Sequence, residues 1–434
     1  MKPRQTVIEL GGAIIDSATV IAEPIYFVME DGVIRAYVRG RYQQQPGEEP
    51  VDLIRKTDKI AIPGLINTHG HAAMTLLRGA GDDMPLMNWL HERIFPLEEK
   101  LTEEATYWGT QLAAWEMLIS GTTTYTDMYM MMENTARAVS ESGMRGVLSV
   151  GVVGFDEDSR AKGLSRSRQF VADWQQKAQG RITVMLGPHA PYTCPPDFLT
   201  EIAELAAVLN VPIQIHLSET KTEVEDCLKQ HGVTPIELAQ KVGLFNLPLL
   251  AAHCVHVTDA DLDIMATHGV RVAHNPQSNL KLGSGVAPLQ KMLERNMVVG
   301  LGTDGAASNN NLDMFEEMRL AATLHKGVHQ DAEMIPAATA FQMATELGAK
   351  ACCLETGLGT LQPGSPCDMV LLDGSSPHLM PRHNLLSDVV YACGADDVRD
   401  VFIQGRQVVA NGQPLTIDTE RVKSEVARLK KIIH

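Results

Sequence analysis

Apolar and polar positions along this chain follow two different rhythms. Near the N-terminus short runs alternate: Thr6-Val7-Ile8-Glu9-Leu10, Ile25-Tyr26-Phe27-Val28 and Val33-Ile34-Arg35-Ala36-Tyr37-Val38. A period of two marks strands with one buried face, and Asp31-Gly32 between the last two runs is a hairpin turn signal. The polar break Gln43-Gln44-Gln45-Pro46-Gly47-Glu48-Glu49-Pro50 follows. The same rhythm returns in Cys367-Asp368-Met369-Val370-Leu371-Leu372-Asp373 and from Val398 to Val409, with Asn411-Gly412 as a turn. These ends predict one small β-domain, a β-sandwich contributed by residues 1–60 and 363–434, flanking a central body.

Residues 61–362 read differently. Apolar runs at 61–68, Thr122 to Met128, Met144 to Val153, Ile182 to Gly187, Pro212 to Leu217, Leu247 to Ala252, Gly269 to Ala273 and Met297 to Gly302 are separated by amphipathic stretches such as Glu103 to Leu118 and Pro196 to Leu209. Continuous apolar strands alternating with helices predict an α/β fold, and eight repeats predict a (β/α)8 TIM-type barrel. A doubly wound sheet would carry a Gly-rich phosphate turn after its first strand, and none is present.

The chemistry collects where the runs end. The first run is followed by His69-Gly70-His71, the fourth by His189, the fifth by His216-Leu217-Ser218-Glu219, the sixth by His253-Cys254-Val255-His256, the seventh by His274-Asn275-Pro276 and the eighth by Thr303-Asp304-Gly305. Strand periodicity points His69 and His71 the same way, and Gly70 leaves room beside the backbone. Two imidazoles aimed at one point suit zinc and its neighbours. Histidines that merely bond carbonyls in a core, or an Asp304 that merely caps a turn, have no reason to keep this register.

Composition narrows the classes. The 434 residues carry a formal charge of −16, which disfavours nucleic-acid backbones and anionic membranes as partners. No apolar run approaches the ~20 residues that span a bilayer, and the N-terminal stretch lacks the apolar core of a secretory leader. Seven scattered cysteines suit a reducing cytoplasm. Homo-oligomers are common among barrels of this size, but no stretch marks an interface.

Taken together, Pro63-Gly64-Leu65-Ile66-Asn67-Thr68-His69-Gly70-His71, His216-Leu217-Ser218-Glu219, His253 and Gly302-Thr303-Asp304-Gly305 resemble the amidohydrolase superfamily in its deaminase and chlorohydrolase branch. Ala252-His253-Cys254-Val255-His256, His274-Asn275-Pro276 through Ser278-Asn279-Leu280-Lys281-Leu282-Gly283, Thr303 to Asn310 and Leu361 to Asp368 are similar to its 5-methylthioadenosine/S-adenosylhomocysteine deaminases. The resemblance implies one divalent ion, zinc with ferrous iron or manganese as alternatives, held by His69, His71, His216 and Asp304. It implies that hydroxide on this ion attacks C6 of the adenine, with Glu219 as proton shuttle and His253 orienting the water. Asp304 and Glu219 also face the substrate. Glu98 would bind the ribose hydroxyls, His189 the nucleoside and Trp89 an apolar wall, with Ser308 and Asn279 bracing the site; His256, His274, His325 and His329 would be peripheral. Relatives with two metals bridge them through a lysine after the fourth strand, and Leu186 to Tyr192 contains none, so a single ion is expected. The loop after the third strand opens with apolar residues, and Arg160, Arg166 and Arg168 come later. A preference for 5'-methylthioadenosine or adenosine over S-adenosylhomocysteine follows. Rival readings are deamination of guanine or cytosine, hydrolysis of a chlorinated triazine, and a non-catalytic scaffold of the same fold. A cytidine-deaminase type site fails for want of its Pro-Cys-x-x-Cys ligands.

Overall fold

The computed structural model describes residues 5–44, 46, 49–354 and 357–433. Gln45, Gly47 and Glu48 of the polar break and Met1 to Arg4 of the N-terminal stretch lie outside the described residues.

The N-terminal part contains β1 (Thr6–Asp16), β2 (Thr19–Ile21), β3 (Ile25–Glu30), β4 (Val33–Arg39) and β5 (Asp52–Pro63). β1 pairs antiparallel with β2 and β3 and parallel with β5. The hairpin from β3 to β4 turns through Asp31 and Gly32 at φ of 52° and 76°, the left-handed pair that an Asp-Gly turn favours.

The middle carries β6 (Leu65–Asn67), β7 (Thr122–Tyr129), β8 (Arg145–Val152), β9 (Ile182–Val184), β10 (Gly187–Pro188), β11 (Ile213–Leu217), β12 (Leu249–His253), β13 (Arg271–His274) and β14 (Val299–Leu301). They form two parallel sheets, β6 to β10 and β11 to β14. Hydrogen bonds from Leu186 N to Pro212 O and from Gln214 N to Leu186 O cross one seam between them, both at 2.9 Å. Thr68 N to Leu301 O (2.8 Å) and Asp304 N to His69 O (3.0 Å) cross the other. Every residue of β7, β11, β12 and β14 is buried, as parallel strands covered on both faces require. Helices Glu103–Ile119 and Pro196–Leu209 lie among those between the strands; Thr102 caps the first by accepting from Ala105 N.

The chain then returns as β15 (Met369–Asp373), β16 (Val398–Ile403), β17 (Arg406–Ala410) and β18 (Gln413–Pro414). β15 pairs antiparallel with β5, so both chain ends share one nine-stranded sheet in the order β18-β17-β16-β15-β5-β1-β3-β4, with β2 on β1. The apolar run 61–68 thus serves two sheets. Its first half ends β5, its second half is β6, and Gly64 divides them; a Cβ at Gly64 would stand 2.2 Å from Thr123 Oγ1. The fourth run is divided too, into β9 and β10.

A candidate metal centre at the strand ends

The hydrogen-bonded part of β6 stops at Asn67, so His69 and His71 sit in the segment beyond it rather than on the strand. They nevertheless converge. The His69 ring lies 4.9 Å from that of His71 and 4.8 Å from that of His216 at the end of β11. Asp304, beyond β14, places Oδ1 3.2 Å from His71 Nε2 and 3.6 Å from His69 Nε2. Within each of the sets His69, His71, His216 and His69, His253, Asp304, one ligand atom per residue lies within 4.8 Å of the others. A Cβ at Gly70 would lie 3.4 Å from Thr126 O and 3.6 Å from Asp304 O, in ordinary van der Waals contact with both.

These positions are held in strained backbone. Ser218, His253, Cys254 and Asp304 take φ of 52°, 72°, 49° and 63°. Left-handed residues other than glycine cost about 1–3 kcal/mol each, and persist where surrounding bonds fix them. Here Gly305 N donates to Asp304 Oδ1 (2.8 Å), Cys254 N to Leu217 O (3.1 Å) and His256 N to Ser218 O (2.9 Å). Gly302 has no room for a side chain, because a Cβ would stand 2.4 Å from Asn275 Oδ1.

The ring nitrogens are arranged for ligation. His71 Nδ1 bonds Met128 O at 2.6 Å and His216 Nδ1 bonds His189 O at 2.7 Å. A carbonyl partner makes Nδ1 the donor and leaves Nε2 for the centre. His69 Nε2 is buried with no hydrogen-bond partner. Burial pushes His69 and His216 well below the ordinary histidine range, so both are neutral, the form that binds a metal. Burial is the largest single influence and lowers His71, but the hydrogen bond and charge of Asp304, the charge of Asp127 and the Met128 carbonyl together outweigh it and raise His71 to about 9. Asp304 is raised by burial, but the hydrogen bond and charge of His71 together with the charges of His69 and His253 outweigh this and hold it well below the carboxylate range. Three imidazoles and a carboxylate, one imidazole nitrogen orphaned, fit a divalent ion with N/O preference.

Glu219 and His253 stand beside this cluster. Glu219 Oε2 is 3.7 Å from His253 Nε2, and its Oε1 accepts from Ser284 Oγ at 3.2 Å. Burial pushes the Glu219 carboxyl up. His253 Nδ1 is 2.8 Å from Asn279 Oδ1, and Ser308 Oγ donates to Gly305 O (3.0 Å) behind Asp304. The His189 ring lies 4.9 Å from that of His216, its Nδ1 2.9 Å from Thr193 Oγ1, and burial lowers it to about 4. Glu98 Oε1 accepts from Tyr129 OH at 2.6 Å, and burial raises the Glu98 carboxyl. Trp89 packs in the apolar core with Leu86 and Leu90 and contacts none of the clustered histidines through a ring pair or hydrogen bond among the described residues. His256 Nε2 bonds Ser284 O (2.6 Å), whereas His274 and His325 pair with each other, ring centres 5.7 Å apart.

Four supporting residues escape a reading of the sequence. Glu223 accepts from Ser218 N (2.8 Å) and Glu219 N (2.7 Å). Ser278 Oγ donates to Asp304 Oδ2 (2.6 Å), and Asp127 accepts from Ala72 N (3.2 Å) beside His71. Tyr129 holds Glu98. Only Glu223 had a local signal, the helix-start pattern Thr220-Lys221-Thr222-Glu223.

The amidohydrolase family model matches residues 60–408. A 5-methylthioadenosine/S-adenosylhomocysteine deaminase of Dictyoglomus thermophilum is 50% identical over 376 residues, 87% of this chain and 88% of its own length. A crystal structure of an adenosine deaminase from Xanthomonas campestris with bound zinc superposes with a TM-score of 0.91 at 33% identity, covering 100% of this chain and 99% of that one. An atrazine chlorohydrolase from Arthrobacter aurescens with zinc shares the fold, with a TM-score of 0.89 at 21% identity over 98% of this chain and 100% of its own.

Proposed function

Because the chain belongs to the amidohydrolase family, we propose that it is a metal-dependent hydrolytic deaminase of the 5-methylthioadenosine/S-adenosylhomocysteine class, replacing the 6-amino group of 5'-methylthioadenosine with oxygen from water and releasing ammonia. The observation that carries this reading is the convergence of His69, His71, His216 and Asp304 next to the Glu219–His253 pair. These four would hold one divalent ion, zinc in preference to ferrous iron or manganese. When bound, the ion supplies the Lewis acidity that brings the pKa of a water toward neutrality.

The remaining work belongs to the chain's own groups. Glu219, raised by burial, is suited to take a proton from the attacking water, deliver it to a purine ring nitrogen and help ammonia leave. His253, tied through Nδ1 to Asn279, keeps Nε2 free to orient that water. Asp304 accepts on the same side. Glu98 would take the ribose hydroxyls, His189 the nucleoside, and Trp89 would back the pocket as an apolar wall. The seam bonds between the two parallel sheets support a closed (β/α)8 barrel over residues 61–362, with residues 1–60 and 363–434 supplying a small β-domain whose strands share one nine-stranded sheet. Its partner is then a small nucleoside, not nucleic acid or membrane, in the cytoplasm.

Substrate preference follows from the guanidinium positions. Arg160 is engaged by Gly154 O (3.2 Å) and Asp197 Oδ2 (2.8 Å), while Arg166 and Arg168 are exposed along the same helix. Of these three, Arg160 is already committed and the other two are exposed, so none is a preformed bidentate clamp for a carboxylate-bearing substrate tail. Ammonia release should therefore give a higher kcat/KM for 5'-methylthioadenosine or adenosine than for S-adenosylhomocysteine. Turnover of guanine, cytosine or a chlorotriazine alone would replace this reading, and purified protein with no divalent ion would favour a scaffold.

A further inference from the structure

The loops that follow β11, β12 and β13 are laced together beside the candidate centre, and Ser284 lies where the lacing meets. It sits between Gly283 and Gly285, whose φ of 68° and 120° suit glycine. The Ser284 N–H donates to Asn279 O (2.8 Å), and its carbonyl accepts from His256 Nε2 (2.6 Å). Gly285 leaves the His256 ring its place, because a Cβ there would stand 3.2 Å from Val255 Cγ1 and 3.7 Å from His256 Nε2. His256 is tied in turn to the loop after β11, its N–H donating to Ser218 O at 2.9 Å. The Asn279 side chain holds His253, with Oδ1 at 2.8 Å from Nδ1. Ser284 is buried, and its Oγ donates to Glu219 Oε1 at 3.2 Å. Among the described residues no other group hydrogen-bonds the Glu219 carboxylate, whose Oε2 stands 3.7 Å from His253 Nε2.

The two oxygens of a glutamate are exchanged by rotation about its last side-chain bond, where the torsional preference is broad and two-fold. A single fixed donor removes that equivalence. We propose that Ser284, latched on its turn by His256, is a positioning residue for deamination: it engages Oε1 of Glu219 and so presents Oε2 as the oxygen that takes the proton from the attacking water and delivers it to the purine ring nitrogen. This rests on the deaminase reading given above. The physical reason is competition between protons. Oε1 already faces the Ser284 O–H, and a second proton there would confront it. Oε2 faces His253, whose Nδ1 donates to Asn279 Oδ1 and whose Nε2 is therefore left as an acceptor. His256 has a task in this arrangement too, acting through the Ser284 carbonyl rather than on the nucleoside.

The test is steady-state ammonia release from 5'-methylthioadenosine and adenosine by the metal-loaded full chain, with metal content and Tm measured on every preparation. Ser284→Ala should lower kcat about 5- to 30-fold while KM stays within about twofold, the split expected of a contact that matters in the transition state. Ser284→Cys, close in size and with a weak S–H donor, should fall between Ser284→Ala and wild type. His256→Phe keeps a ring and loses the donor to the Ser284 carbonyl, so it should lower kcat in the same direction. Joined to Ser284→Ala it should cost no more than Ser284→Ala alone, because both act through one hydrogen bond. Ser284→Ala with full metal and kcat within twofold of wild type overturns the proposal. So does a change confined to KM, or losses that multiply in the double variant. A wild type that releases no ammonia overturns the deaminase reading itself, so the wild-type rate separates the two failures.

Discussion

Glu223 holds no substrate in the proposed reaction, yet its removal should cost turnover. Its carboxylate accepts from the backbone N–H groups of Ser218 and Glu219 at 2.8 and 2.7 Å, pinning a turn whose Ser218 lies at φ 52°. Glu223→Gln keeps one acceptor and presents an amide N–H to the other donor, leaving one buried backbone N–H unpaired. Such a loss costs about 1–3 kcal/mol, and if it falls on the placement of Glu219 it lowers kcat about 5- to 150-fold. KM should stay within about twofold, since Glu98 and His189 are untouched. Metal content should be unchanged, because His216 is oriented separately by the His189 carbonyl. Burial, then the charge of Glu219, raises Glu223 to about 7, so the assay belongs at pH 8, where the wild-type group is ionised. As pH falls through about 7 the wild-type carboxyl protonates, and the gap between the two proteins should narrow. Steady-state deamination by absorbance, with metal analysis on the same preparations, measures this. A Glu223→Gln protein with full metal and kcat within twofold of wild type at pH 8 refutes the reasoning, as does a loss explained wholly by missing metal.

Ser278→Ala removes the hydroxyl that donates to Asp304 Oδ2 and should weaken metal affinity about 10- to 100-fold in competition with a chelator; an unchanged affinity contradicts the positioning role. Asp368→Asn breaks the buried bidentate pair with Arg145 and should destabilise the chain by about 3–5 kcal/mol in denaturant, whereas the double variant Arg145→Met with Asp368→Leu should recover much of the loss. Glu317, buried beneath Gln277 N and the Asn309 side chain, is raised by burial from 4.5 to about 8. The folded state therefore binds the extra proton between these values, so this contribution is complete below pH 4.5 and lost as pH rises through 8. Glu317→Gln should flatten the fall of Tm over that window, and parallel curves for the two proteins would count against it.

Much of this molecule is written locally. Eight apolar runs and the helical stretches between them follow from side-chain periodicity, which neighbouring residues alone impose. The Asp31-Gly32 hairpin follows from turn chemistry in the same way. His69, His71, His216, His253, Asp304 and Glu219 could be named because each follows such a run, where parallel α/β folds gather their chemistry. Local pattern misjudged where strands break: the run 61–68 looks like a single strand, but Gly64, pressed against Thr123, divides it between two sheets, the fourth run splits into β9 and β10, and β6 ends before His69.

What only the tertiary structure decided is which distant groups meet. Tyr129 on Glu98, Ser278 on Asp304, Ser284 on Glu219 and Arg145 on Asp368 are hydrogen bonds between segments remote in sequence, and none leaves a periodicity to read. The neutral state of His69 and the elevated pKa of His71 likewise depend on burial and on a neighbour from another strand. The residue types came from the chain itself; their distances, exposure and charge came from packing, because the energies that set them act through space rather than along the backbone.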